Sequence, residues 1–334
     1  MTRKVYVDPL VNEFAYMVQV VVTVFAYALN FLLLFIIYRC TRKDIGTYRV
    51  LLIYFAISDL YYNTLHFSVY PVPEMHGNAF MMGGHGLYPE LLGVGLYLGA
   101  YGHAFPILIF HFLYRLIAIK LVVSTAASNV LMYAFYFIIP EKLFFRFTIF
   151  YWFFHPDEES LRILGPIFNG TIPQDVVHTP DTASKHSQAL YWSGNTFEGP
   201  RWRNLIGVGL MASTMAGTYA FIICCSLLIN KYLKKQMKSA LSMRLHKQLF
   251  RSLIYQSFVP LFTAYYPAGT SVMLPIFGIT VPYISIIVPP ACATHPLVDP
   301  LVLILSINEY RREFFRLTGM SKIARSILHE STKE

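Results

Sequence analysis

The sequence predicts an all-α membrane protein, a bundle of seven transmembrane helices with the N-terminus outside and the C-terminus in the cytoplasm. The chain of 334 residues is 55% hydrophobic and only 13% charged, whereas soluble domains carry about 25% charged residues. It contains seven apolar stretches long enough to cross a bilayer. Its basic residues collect at alternate gaps between these stretches, which predicts one consistent orientation.

The seven stretches each provide the roughly 17–25 residues or more that a tilted helix needs. The first is too long for a signal-peptide core and no small-residue cleavage site follows it, so we expect it to remain as the first helix. Residues 1–318 form the predicted seven-helix domain, and 319–334 a cytoplasmic tail. The stretches are 14–38, 48–70, 91–119, 129–154, 204–230, 250–272 and 281–307.

The orientation follows from the distribution of Lys and Arg. Of 27 such residues, 19 lie in or at the edges of the gaps after stretches one, three and five and in the C-terminal tail, and six lie at the N-terminus and in the other gaps. Basic side chains are retained on the cytoplasmic side, which predicts an N-terminus outside. Seven helices in this orientation are the architecture of a G-protein-coupled receptor.

Several other classes are disfavoured. The net charge of +9 is concentrated in short juxtamembrane segments, where lipid attraction and topology explain it, so we expect no nucleic-acid partner. No HxxxH or HExxH pair occurs, so no metal site, cofactor or enzyme is predicted. A transporter or channel for a small solute remains the alternative, although only the seventh stretch is heavily broken by prolines, without a matching second half.

The gaps contain three features. The long outer gap at 155–203 contains a glycosylation sequon at Asn169, and none of the four cysteines lies in an outer gap. The inner gap after stretch five presents a basic helix face, either for an acidic partner or for membrane anchoring. Residues 308–318 predict a short amphipathic helix on the inner leaflet. The basic face comprises Lys231, Lys234, Lys235 and Lys238.

Ionisable side chains within the stretches are costly and need a reason. Asp59, Asp299 and Arg115 fall in the middle or inner part of stretches two, seven and three. We expect a polar cluster on the signalling side, the alternative being that each is satisfied separately. In stretch four the sequence places Glu141, Lys142 and Arg146, so this helix is either buried or differently bounded.

The seventh stretch contains prolines that each remove one backbone donor and free one carbonyl, which neighbours must satisfy. Such a helix is better suited to be a hinge than a passive anchor. The prolines are Pro282, Pro289, Pro290, Pro296 and Pro300.

Five segments resemble the nematode serpentine chemoreceptors of class r, the Str family of seven-helix odorant receptors. The strongest match is HPLVDPL at 295–301, followed by INEYR at 307–311, like the P-x-x-D-P-L motif and Y-R ending of the family. The others are GTYRVLLIY at 46–54, HFLYRL at 111–116 and QLFRSLIYQSFVP at 248–260. The chain departs from the family where it has LGAYGH at 98–103 without the usual nearby cysteine, and in its charged fourth stretch.

The resemblance implies a receptor for small, often volatile, molecules in the ciliary plasma membrane of sensory neurons, acting through a heterotrimeric G protein. The outer halves of the helices offer aromatic surfaces with a few polar handles for a ligand. For any single one of them, simple packing is the competing interpretation. The expected ligand-binding residues are Tyr62, His66, Tyr97, Tyr101, Phe105, Tyr265, Tyr266 and Tyr283. The expected coupling and switch residues are Tyr114, Arg115, Asp59, Pro260, Pro296, Asp299, Pro300, Tyr310 and Arg311.

Overall fold

The computed structural model of the chain describes a helical bundle with a small β-sheet at one end. The described residues are 9–40, 48–84, 86–87, 90–120, 150–168, 187–193, 199–236 and 240–319. Among the helices in these ranges, four are long and apolar enough to cross a membrane. They are Glu13–Cys40, Leu91–Ile119, Trp202–Lys234 and Ile284–Ser306.

Most of the predicted stretches coincide with helices. Of stretch four the structure describes only 150–154, which is helical, so Glu141, Lys142 and Arg146 lie outside the described residues, as does Asn169. The helices are α1 (Pro9–Cys40), α2 (Tyr48–Val69), α3 (Glu90–Lys120), α4 (Glu158–Phe168), α5 (Trp202–Gln236), α6 (Ala240–Pro260), α7 (Tyr266–Met273), α8 (Ile284–Ser306) and α9 (Asn308–Leu317).

The helices pack around α8. This helix contacts α1, α2, α6 and α7, while α3 lies between α2 and α5. Buried polar side chains reinforce the packing where prolines weaken α8. Pro300 has no N–H to donate to the carbonyl of Pro296, and the Asn30 side-chain amide of α1 donates to that carbonyl over 2.7 Å. A neighbouring helix thus satisfies a carbonyl that the proline frees.

The sixth stretch is not one continuous helix. After Pro260 the backbone passes through a π-helical turn at Leu261–Tyr265, continues as α7, and closes in a 3₁₀ turn at Leu274–Phe277. The phenol of Tyr219 on α5 donates to the carbonyl of Ser257, one turn before the proline, over 2.9 Å. A π turn inside a helix is a local irregularity that often marks a functional position.

The structure is mostly helical, as the all-α class predicts, but it adds β-structure at the end of the bundle that the predicted orientation places outside. There two segments between the helices form a sheet, here called the outer sheet. Strands β1 (Pro71–His76), β2 (Ala79–Gly84) and β3 (Ser187–Leu190) pair antiparallel in that order. The hairpin turns at Gly77, whose φ of +55° is accessible to glycine at little cost. A second, two-stranded sheet pairs β4 (Trp192–Ser193) with β5 (Gly199–Pro200).

The larger sheet is tied to the segment that follows the π turn. Next to β3, the Tyr191 phenol donates to the carbonyl of Val272 over 2.7 Å, and the Trp192 indole N–H donates to the carbonyl of Ile276 over 2.9 Å. The backbone N–H of Gly77 donates to the Thr280 hydroxyl over 3.1 Å. The outer sheet and α7 are therefore connected by directional bonds as well as by packing.

A charged cluster joins the start of α4 to the start of α5. Arg201 pairs with Asp157 and with Glu159, and Arg203 pairs with Asp157 at 3.1 Å. Burial raises the pKa of Asp157. The backbone N–H of Ser160 and the two guanidinium groups lower this pKa by more than burial raises it, so the net shift is downward. The cluster thus favours the ionised carboxylate.

Removing this cluster should lower the stability of the outer face. We expect Arg201→Ala to cost about 1–2 kcal/mol, because its side chain is only 12% exposed, Glu159 loses the ion pair with it, and Asp157 keeps only Arg203 of its two arginines. Thermal unfolding of the purified protein in detergent measures the effect. Arg162 is an exposed arginine on α4 that forms no ion pair with another described residue, so Arg162→Ala should change little. An equal loss of stability in both variants would contradict this assignment.

The contribution of Asp157 to stability should depend on pH. Because the pKa of Asp157 is lower in the folded state than its ordinary value of 3.8, this contribution is present above pH 3.8 and is lost as the pH falls through the folded pKa.

Candidate functional site

A cavity of about 720 Å³ lies beneath the outer sheet, between α3, α5, α7 and the first turns of α8. Alternate residues of the hairpin, Pro71 and Pro73 on β1 and Phe80 and Met82 on β2, close its outer end. They share one face of the sheet because side chains alternate along a strand. The volume falls within the range of sites that enclose small organic molecules.

The lining of this cavity is almost entirely apolar. Among the described residues that line it, none is Asp, Glu, Lys, Arg or His. Polar atoms come from tyrosines and from a few small side chains. Thr214, Thr218 and Ser271 already donate their hydroxyl protons to carbonyls of their own helices. Their oxygens can still accept a hydrogen bond from a ligand.

Aromatic side chains of α3 form one wall. Tyr97, Tyr101 and Phe105 are spaced four residues apart, which places them on the same helix face. Tyr265, the last residue of the π turn, stacks on Phe105 with ring centroids 4.5 Å apart and meets Tyr101 edge-on at 5.1 Å. The wall of the cavity is thus in direct contact with the irregular part of the α6–α7 segment.

The other predicted ligand-binding residues lie behind this wall or away from it. The Tyr62 phenol forms a hydrogen bond of 3.1 Å with that of Tyr97, and the ring of His66 lies 5.4 Å from the Tyr97 ring. Both are buried in α2 and do not line the cavity. Tyr266 and Tyr283 are 65% and 49% exposed on the outside of the bundle. The cavity therefore brings together four of the eight residues.

The ionisable residues do not form a single cluster. Asp59 and Asp299 lie close together, and His295, which is buried one turn before Asp299, joins them. Arg115 forms no ion pair with either aspartate in the described structure; its guanidinium carbon lies 3.7 Å from the centre of the Tyr48 ring. The expected cluster of three helices is therefore wrong in its membership: α2 and α8 supply the acidic group, and Arg115 lies elsewhere.

The contacts of Arg115 join three helices at the end of the bundle away from the outer sheet, which the predicted orientation makes the inner end. Besides the ring of Tyr48 on α2, its Nη1 lies 3.4 Å from Nδ1 of His246 on α6. Burial and the neighbouring guanidinium lower the pKa of His246 to about 4. The imidazole is therefore neutral near pH 7, and its Nδ1 can accept a hydrogen bond from the guanidinium. This contact holds α3 and α6 together.

Comparison with known proteins identifies the chain. A family model described as serpentine type 7TM GPCR chemoreceptor Str matches residues 15–315. The chain belongs to this family. Similar relatives include serpentine receptor class r-10 of Caenorhabditis briggsae, 23% identical over 312 residues, which cover 89% of this chain and 88% of the relative. Class r-10 of Caenorhabditis elegans is 22% identical over 316 residues (86% of each chain), and class J-38 of the same nematode is 23% identical over 330 residues (92% and 94%).

This membership makes the protein a multi-pass membrane protein of a receptor family rather than an enzyme family. The remaining predicted residues of this Str receptor lie beside the Arg115 contacts, on α9, or at the prolines of α6 and α8. Tyr114 stacks on Tyr48 with centroids 5.6 Å apart, Tyr310 is completely buried, and Arg311 donates to the Asn308 side chain over 2.9 Å. Pro260 ends α6 immediately before the π turn, and Pro296 and Pro300 lie inside α8.

Sequence reasoning missed several residues of this Str receptor. His295 and Asp299 are four residues apart on α8 and so share a face, a signal that a search for paired histidines alone overlooks. The Gly77–Asn78 pair between two short apolar runs is a hairpin signal that would have found Phe80 and Met82. Tyr48 and His246 carry no signal in the sequence, since only packing brings them to Arg115.

Proposed function

We propose that this Str receptor binds a small, neutral, largely apolar molecule in the cavity beneath the outer sheet and activates a heterotrimeric G protein at its inner face. The observation that carries the proposal is the lining of the cavity: about 720 Å³ without a formal charge among its described residues. A charged ligand would lose its hydration there without finding a counter-ion. A neutral volatile compound meets no such penalty.

The contacts of Tyr265 support a route from the cavity to the inner face. A ligand against Tyr101 or Phe105 would change the packing of Tyr265, which belongs to the π turn that follows Pro260. Movement at this turn would tilt α6 and separate His246 from Arg115. A ligand favours such a state only to the extent that it binds that state more tightly.

The inner face offers a fitting surface for the G protein. Opening of α6 would free Arg115 from its contact with His246. The exposed Lys231 and Lys234 of α5 would add positive charge for an acidic partner. Lys235 and Lys238 belong to the same predicted face. In this proposal α9, with Arg312 and Arg316 exposed, lies on the inner leaflet, where anionic lipids attract them.

The proposal includes the finer expectations about topology and place: seven spans with the N-terminus outside, a glycan at Asn169, and residence in the ciliary membrane of a sensory neuron that detects odorants. The positive-inside distribution supports the orientation. The family and the apolar cavity support chemosensation.

A ligand panel on whole cells tests the function. The full chain with an N-terminal tag is expressed, the tag is read on unpermeabilised cells, and G-protein activation is recorded against neutral volatiles and charged analogues of similar size. We expect a surface-exposed tag and responses confined to neutral compounds. Responses only to charged compounds would contradict the assigned cavity, and a tag accessible only after permeabilisation, in a chain at the cell surface, would contradict the orientation. Ligand-dependent solute flux without G-protein activation would favour a transporter or channel.

A further inference from the structure

Three ligand-type side chains meet inside the bundle where α2 and α8 touch. One ligand atom each of Asp59, His295 and Asp299 lies within 4.8 Å of the others, and all three residues are buried. Asp59 comes from the middle of α2, and His295 and Asp299 from successive turns of α8. This group lies below the aromatic wall and does not line the large cavity.

The carboxylates of this group are poorly satisfied by the protein. Among the described residues, Oδ2 of Asp59 and both oxygens of Asp299 accept no hydrogen bond of ordinary geometry, although the two residues are only 4% and 0% exposed. Nδ1 of His295 lies 3.1 Å from Oδ2 of Asp299 but without the alignment of a hydrogen bond. Two carboxylates in an apolar interior with a single imidazole beside them are costly, so a cation there would remove a large penalty.

Space for such a cation adjoins the group. A void of about 10 Å³ is lined by Asp59 and His295 together with Ser58 and Tyr62. That is close to the smallest volume that holds a water molecule. An ion and one water ligand therefore need only a small adjustment of the side chains.

The donor set selects the class of ion. Calcium and magnesium prefer shells of oxygen atoms and several waters, which this void does not accommodate. An imidazole nitrogen with two carboxylate oxygens is a zinc-type set, with three protein ligands and a water in the fourth position. Around zinc these atoms stand roughly 3.4 Å apart, near the 3.1 Å already found between His295 and Asp299. A divalent ion also balances both carboxylates.

We propose that Asp59, His295 and Asp299 bind a divalent cation of the zinc type, which ties α2 to α8 next to the prolines of α8. Because His295 also faces the Tyr62 ring, with centroids 5.8 Å apart, the site contacts the layer directly behind the ligand cavity. An ion here would stabilise the arrangement of α2 and α8 in which its three ligands converge.

The test uses the full chain in lipid nanodiscs, stripped with a chelator and then titrated with zinc chloride by calorimetry, with thermal unfolding recorded in parallel. We expect one equivalent of zinc per chain and an unfolding temperature raised by roughly 5 °C at about a hundredfold excess over the dissociation constant. Asp299→Asn and His295→Gln should each weaken binding at least about tenfold. In chelator, Asp299→Asn should unfold at no lower temperature than the native chain, because it removes one of two neighbouring buried carboxylates, and this measurement verifies folding.

The control is the double variant Glu74→Gln with His76→Gln, which removes a carboxylate and an imidazole from β1 in the outer sheet and should bind zinc like the native chain. If zinc binds equally well to Asp299→Asn and to His295→Gln, the binding is adventitious and the proposal is overturned. An unfolding temperature that rises with sodium chloride but not with zinc would overturn the divalent assignment. An unfolding temperature that rises only on acidification would assign the site to protons. None of these readouts needs an odorant or a G protein, so the result is independent of the proposed signalling function.

Discussion

Filling the cavity at Gly269 should weaken the ligand response of this Str receptor by roughly 10- to 100-fold. Gly269 lies on α7 in the cavity lining, and a Cβ atom added there meets nothing within 4 Å. A leucine side chain would therefore occupy ligand space without displacing the protein. The expected loss corresponds to the cost of overpacking a filled site, about 1–3 kcal/mol. Helix α7 itself should gain stability, since leucine favours a helix over glycine.

The measurement is the agonist concentration for half-maximal G-protein activation in Gly269→Leu and in the native chain, at matched surface expression. Gly209→Leu is the matched control: its Cβ also meets nothing within 4 Å, but this residue of α5 does not line the cavity. Equal sensitivity in the two variants would contradict the assignment of the cavity. Loss of surface expression in Gly269→Leu alone would instead indicate that leucine disturbs the fold.

Replacing Arg115 with alanine should abolish signalling while leaving surface delivery and ligand binding intact. In the described state the guanidinium is buried between Tyr48 and His246, where it holds α3 and α6 together. In the proposed active state the same group faces the G protein. We therefore expect agonist-stimulated activation to fall to the level without agonist; a tenfold loss, equivalent to about 1.4 kcal/mol of coupling free energy, is the smallest effect consistent with this role.

Two variants separate these roles of Arg115. Arg49→Ala removes another arginine at the inner end, which reaches the carbonyl of Tyr38 over 3.4 Å, and should signal normally. His246→Ala removes the α6 contact but keeps the guanidinium, so basal signalling should rise. Native signalling by Arg115→Ala would eliminate this residue from the mechanism, and an unchanged basal level in His246→Ala would show that the contact does not hold α6.

The residues near Arg115 show which features the sequence predicts and which it does not. The position of Arg115 at the inner end of the third stretch was evident from its sequence context, because a charge in an apolar stretch needs a reason. Its partners were not evident. Asp59 and Asp299 were expected, but the structure provides an aromatic ring and a neutral imidazole. A guanidinium can be satisfied by either kind of partner, and spacing along the chain does not distinguish them.

The same division holds at the cavity. Tyr97, Tyr101 and Phe105 line it because a spacing of four residues on α3 fixes a common face before any packing is known. Tyr266 follows Tyr265 directly, yet it is 65% exposed while Tyr265 is 2% exposed. The π turn after Pro260 determines which of the two neighbours turns inwards, and no periodicity reveals that turn.

Composition, the lengths of the apolar stretches and the placement of basic residues thus determined the class of this protein by themselves, because transfer to a bilayer depends on local composition. The prolines of α8 likewise predicted that groups from other helices satisfy the carbonyls of α8. Tertiary structure alone decided that Asn30 does so at Pro296, that an outer sheet closes the cavity, and that Asp59 joins His295 and Asp299. These are contacts between residues far apart in the chain, and they depend on how the helices pack, which a local pattern does not encode.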